Sequence, residues 1–167
     1  MRRAKFFSAQ RLARHESGST LLEMALCLSL VSLVMLGIVE CSLAVYTEHY
    51  VESAALSGAR YATVRGSTYS GTACASASSY QCMADTKSIL TYIQSNSAPG
   101  IVASQLSVTA SWPGTTGGGG VCDVTQGNGS PGCVVTVTVS YPFTFMLPAP
   151  LHKSITFRSS RSSVISQ

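Results

Sequence analysis

Apolar positions follow three regimes along the chain. From Met24 to Val39 they are nearly continuous and carry no charge, with Leu21 and Leu22 before them and Glu23 as the one interruption. A membrane-spanning helix needs about 20 mostly apolar residues, so 21–39 predicts such a span. In the second regime Tyr46, Tyr50, Ala54 and Tyr61 recur at helical spacing, Glu48 and Glu52 fall on a flank, and no proline occurs before Pro99. This predicts one helix from Leu21 to about Arg65, ended by Gly66-Ser67.

The third regime begins after a Ser/Thr/Ala/Gly-rich loop at 67–81. Met83, Ile89, Leu90, Tyr92 and Ile93 mark a short amphipathic helix over 83–96, and Ser95 to Gly100 reads as a turn. Three stretches of period two follow: Leu106, Val108, Ala110 and Trp112; Val135, Val137, Val139 and Tyr141; Ile155 and Phe157. Alternation of this kind predicts half-buried strands in an antiparallel sheet. Between the first two strands, Pro113 to Gly132 is a long connection with four consecutive glycines at 117–120. The tail from Ser159 is serine-rich and is expected to fray. The fold class is therefore α+β, a long N-terminal helix followed by a small antiparallel domain.

Charge adds a direction to this pattern. The chain has 167 residues, of which only 11% are charged, against 46% hydrophobic. Soluble globular chains carry about 25% charged residues. The formal net charge of +4 is concentrated in Arg2, Arg3, Lys5, Arg11 and Arg14; after residue 18 six basic residues face six acidic ones. On the far side of the apolar run the first basic residue is Arg60. The bias of basic residues to the cytoplasmic side puts the N-terminus inside and the chain beyond about Tyr46 outside.

The residues at the cytoplasmic edge read Gly18-Ser19-Thr20-Leu21-Leu22-Glu23. A carboxylate at this depth costs free energy unless it snorkels or pairs, which marks Glu23 for attention. Three readings of the segment compete. One is a plain anchor, with Glu23 snorkelling at the headgroups. Another is a secretory signal peptide cut at the small residues Ser42-Leu43-Ala44, although the apolar run exceeds the usual 7–15 residues of such signals. In the third, a basic leader, a glycine, and a glutamate at the fifth position after it resemble the prepilin signal of type IV pilins. That resemblance implies cleavage by a prepilin peptidase between Gly18 and Ser19, and a role for Glu23 in processing or assembly.

The resemblance extends outward. Leu22-Glu23, the apolar span, Gly37-Ile38-Val39-Glu40, Tyr46, Ala54-Ala55 and Gly58-Ala59-Arg60-Tyr61-Ala62 resemble the TadE/TadF-like minor pseudopilins of the Tad (tight adherence, Flp) pilus system. Implied by the resemblance are a structural role in pilus assembly, partnership with other pilus subunits, the assembly machinery and membrane lipid, and helix packing at Gly58, Ala59, Arg60 and Tyr61. It also implies residence in the inner (cytoplasmic) membrane, with incorporation into a surface pilus. The expected organisation is a leader at 1–18, a spanning and continuing helix at 19–66, and an exported domain at 67–167. The alternative is an unprocessed, membrane-anchored extracytoplasmic binding domain.

Cys27 and Cys41 sit in or beside the apolar run and read as small hydrophobes. Cys74, Cys82, Cys122 and Cys133 lie on the exported side, where an oxidising compartment favours disulfides. Four cysteines allow three pairings. The local pairs Cys74–Cys82 and Cys122–Cys133 are favoured because each closes a loop. A zinc site lacks Cys-x-x-Cys spacing and a histidine pattern around His49 and His152. No catalytic set is apparent: Asp85 and Asp123 are the only carboxylates after Glu52, and no phosphate-loop lysine follows the glycine run. The reading therefore includes no enzyme activity, no cofactor, no metal and no nucleic acid.

Overall fold

The computed structural model describes residues 13–67, 69, 83–115, 122, 129–146 and 154–166, with backbone alone for 13–17. The chain divides into two compact units, residues 1–43 and 44–167.

The first unit is helical. Helix α1 runs Ala13–Thr63, starting before the expected Leu21 and ending two residues short of Arg65. Within this unit Leu21, Leu22, Met24, Leu26, Leu28, Leu30, Leu33 and Met35 are all exposed. A helix apolar on every side is stable only in a nonaqueous surrounding. By length and composition, this is a helix able to cross a membrane, with a mean hydropathy of 2.4 in its most apolar window. Ser29, Ser32 and Ser42 return their hydroxyls to carbonyls of the preceding turn, at Leu26, Leu28 and Ile38, and so bring no unsatisfied donor into lipid.

The second unit is α+β. The last part of α1 is followed by α2 (Thr86–Ser95), a 3-10 turn at Ala103–Gln105, and strands β1 (Ser107–Ser111), β2 (Val134–Thr144) and β3 (Ser154–Val164). The strands form one antiparallel meander in the order β1-β2-β3. Val135, Val137, Val139 and Tyr141 point into the core from β2, joined by Leu106, Val108 and Trp112. Val51, Ala54, Ala55, Ala59 and Ala62 of α1 and Ile89 and Ile93 of α2 complete the same cluster. The alternation in the sequence marks this face correctly.

Helix α2 owes its start to a reciprocal cap. The Asp85 carboxylate accepts from the Ser88 amide at 2.6 Å, and the Ser88 hydroxyl accepts from the Asp85 amide at 2.9 Å. The strand β3 departs from the expectation of a frayed tail: it is regular to Val164. Ser160 and Ser162 lie opposite threonines of β2, and hydroxyl pairs Thr136–Ser162 (2.8 Å) and Thr138–Ser160 (3.0 Å) bridge the strands. Cross-strand hydroxyl pairs of this kind stabilise a sheet that has few apolar residues on that face. Arg161, on the inner face of β3, makes an ion pair with Glu52 of α1.

Candidate functional site

Apart from the cysteines, the residues singled out by sequence lie on α1, in two stretches. At the first, Gly18, Ser19 and Glu23 are exposed on a continuous helix. A methyl group added at Gly18 would meet nothing within 4 Å, so intrachain packing does not require glycine there. Among the described residues Glu23 has no hydrogen bond or ion pair. Neither residue is explained by the fold of its own chain.

The second stretch behaves in the opposite way. A Cβ at Gly58 would lie 3.0 Å from Ile93 Cδ1, 3.2 Å from Ile89 Cγ2 and 3.2 Å from Val137 Cγ1. All three neighbours are buried and close-packed, so this glycine sets how near α1 comes to α2 and β2. Ala59 is buried beside it. Tyr61 is half-buried and stacks on Tyr92 of α2, with centroids 4.5 Å apart. Arg65 lies over Tyr61 at 4.4 Å and over Tyr69 at 5.1 Å, which joins the end of α1 to the chain that follows. Arg60 is exposed and, among the described residues, its side chain is unbonded. The structure thus assigns Gly58, Ala59 and Tyr61 to packing within the chain and leaves Arg60 on the surface.

Of the cysteines, Cys122 and Cys133 are joined by a disulfide with a Cα–Cα separation of 5.8 Å. Cys74 and Cys82 lie outside the described residues. Cys27 and Cys41 are exposed free thiols on α1. Among the described residues no group of three or more potential metal ligands is assembled.

Sequence reasoning missed one local arrangement. Among the described residues the buried Tyr50 hydroxyl has no hydrogen-bond partner, and desolvation, with Tyr46 and Tyr141 nearby, raises its pKa above the ordinary value of 10.0. Tyr46 donates its hydroxyl to the Pro99 carbonyl at 3.0 Å, and the Tyr141 hydroxyl accepts from the Val102 amide at 3.3 Å. Aromatic spacing on α1 was visible in the sequence, but its meeting with the turn at 99–102 depends on tertiary structure.

The stretch that holds both ends of this candidate site, residues 18–60, matches the family model described as TadE-like protein. Over that segment the chain is similar to the TadE-like family. The match starts at Gly18, excludes the basic residues before it, and ends at Arg60. No curated protein matches the chain, and no solved structure does. The TadE-like family is a pilus-associated structural family. The strands and α2 lie outside the matched segment.

Proposed function

We propose that the chain is a minor pseudopilin that takes part in assembly of a Tad-type pilus, as a structural subunit and not as an enzyme. The observation that carries this reading is the TadE-like match beginning at Gly18, together with a glycine and a glutamate that the chain's own packing does not explain. In this reading residues 1–18 are a leader removed by a prepilin peptidase, residues 19–66 anchor the subunit, and residues 67–167 are exported. The basic leader keeps the N-terminus in the cytoplasm.

Cleavage would give Ser19 an α-amino group with a reference pKa near 7.7–8.0. Ser19 and Glu23 are i and i+4 on one helix, so the new cation can face the carboxylate within a subunit or from a neighbour. A paired carboxylate is far less costly near lipid than an isolated one, which couples processing to assembly. Replacing Glu23 by alanine is expected to leave membrane insertion and cleavage intact and to weaken co-purification with the other pilus subunits. Normal piliation and co-purification of Glu23→Ala would reduce Glu23 to a snorkelling side chain. The second reading, an unprocessed anchored binding domain, draws on the continuity of α1 from Ala13 through Gly18 and Ser19.

A further inference from the structure

Strand β3 is an edge of the sheet. The order β1-β2-β3 leaves one of its sides without a neighbouring strand among the described residues. It is 11 residues long, whereas the opposite edge, β1, has 5. Its register with β2 is unbroken from Ser154 to Val164, with no bulge, proline or glycine in the strand. No residue of β3 is buried, so the strand lies open to solvent.

Contacts at its end show which backbone groups face out. The Ile165 amide donates to the Cys133 carbonyl at 2.8 Å, and the Ile165 carbonyl accepts from the Gly132 amide at 2.9 Å. Ile165 therefore turns its backbone toward the β2 side. The amide of the next residue, Ser166, points the other way and donates to the Thr63 carbonyl at 3.0 Å. This orientation alternates along an antiparallel strand, so odd-numbered residues of β3 bond to β2 and even-numbered residues face away. The hydroxyl pairs Thr136–Ser162 and Thr138–Ser160 agree, because side chains come closest at positions that exchange no backbone bonds. Ser154, Thr156, Arg158, Ser160, Ser162 and Val164 thus present N–H and C=O groups with no partner among the described residues. A row of such groups is a template for one more strand.

Charge selects the occupant. Arg161, on the inner face, is taken up by Glu52 of α1. Arg158, on the outer face, is exposed, and among the described residues its side chain is unbonded. Every other outer-face side chain of the three strands is serine, threonine, valine or proline. Glu48 and Glu52 belong to α1, which packs on the inner face, so they lie across the sheet from Arg158. Two copies of β3 can match all their outward groups by setting Ser154 against Val164. That register makes the two Arg158 side chains diagonal neighbours, with no carboxylate between them. A strand with Asp or Glu opposite Arg158 gains a cross-strand ion pair instead. On the inner face, Ile155 is 41% exposed and Phe157 half-buried, so the same strand can cover them with apolar side chains.

We propose that the β3 edge takes up an extended segment of a different protein chain as a fourth, antiparallel strand. That segment carries a carboxylate opposite Arg158 and apolar side chains beside Ile155 and Phe157. Main-chain bonds supply the affinity, and the ion pair fixes the register.

The test follows amide exchange, resolved at single residues, in the detergent-held full chain. Without a partner, the odd-numbered amides of β3 are expected to be protected and the even-numbered ones to exchange freely. The probe is a capped peptide of alternating threonine and valine with a central glutamate, long enough to lie along 154–162. It is expected to slow exchange at Thr156, Arg158, Ser160 and Ser162, and a peptide with central lysine should do so much less. Arg158→Glu replaces an exposed ion pair by a like-charge pair. It should weaken the glutamate peptide roughly fivefold and favour the lysine peptide. Ser160→Pro removes one outward N–H and no backbone bond to β2, so it should abolish peptide protection while the odd-numbered amides stay protected. If that variant loses the odd-numbered protection too, the charge exchange at position 158 decides. No added protection from the glutamate peptide, or equal protection from both peptides, would overturn the proposal. Even-numbered protection without peptide would also overturn it, in favour of a second copy if it grows with protein concentration and of cover by the same chain if it does not.

Discussion

Gly18 and Gly58 are both glycines of one helix, but their surroundings differ. An added methyl at Gly58 meets three buried methyl groups at 3.0–3.2 Å, two of them on stiff β-branched stems, whereas at Gly18 it meets nothing. Overpacking a core costs about 1–3 kcal/mol. Replacing glycine in a helix interior returns about 0.8–1.0 kcal/mol of helix propensity. Gly58→Ala is therefore expected to destabilise the unit 44–167 by a net of about 1 kcal/mol, read as urea unfolding of the detergent-held chain through Trp112 fluorescence. Gly18→Ala should leave that unfolding curve unchanged. Small residues at 54–62 were legible in the sequence as a packing site, but the sequence could not say that the partners are Ile89, Ile93 and Val137 of the same chain. That information depends on how α2 and β2 return to the helix. Arg60 belongs to this site by the resemblance of Gly58-Ala59-Arg60-Tyr61-Ala62, and its helical phase turns it to the surface.

At the scale of elements, α2 and the strands were legible for different reasons. The strands on the core side show in the alternation of valines, and α2 shows in its apolar spacing. Its start was placed at 83, three residues early, because Met83 and Ala84 are buried ahead of the cap and look helical by composition alone. The cap at Asp85 decides the boundary. Asp85→Ala is expected to cost about 1 kcal/mol and to raise amide exchange first in the opening turn of α2. Equal exchange across α2 in parent and variant would show that the cap contributes nothing. The last six residues of β3, Ser159–Val164, were not legible because Ser159–Ser163 has no apolar alternation. The strand exists there because β2 offers a complete ladder and threonine hydroxyls at the matching positions.

At the scale of the molecule, the apolar run and the unit 44–167 answer to different solvents. The first is exposed on all sides, while the second has its own core, made from short side chains on α1 and valines on β2. A core of that size gains from a covalent tie. The Cys122–Cys133 bridge spans 11 positions of a glycine-rich connection. Loop-closure entropy for such a span corresponds to about 3 kcal/mol, so Cys122→Ser with Cys133→Ser should lower stability by about that amount. Denaturant unfolding of the non-reduced parent and the double variant measures it, and coincident curves would contradict the estimate. This pairing was legible in the sequence from locality alone; the pairing of Cys74 with Cys82 remains an expectation for peptide mapping without reductant.

The central claim, that a TadE-like helix is presented as a processed pseudopilin, is tested most directly by the intact mass of the chain extracted from membranes of a host that carries a prepilin peptidase. The account predicts the mass of residues 19–167, with an N-terminus at Ser19 and the Cys122–Cys133 bridge intact. A full-length mass, or cleavage after Ala44, would contradict it.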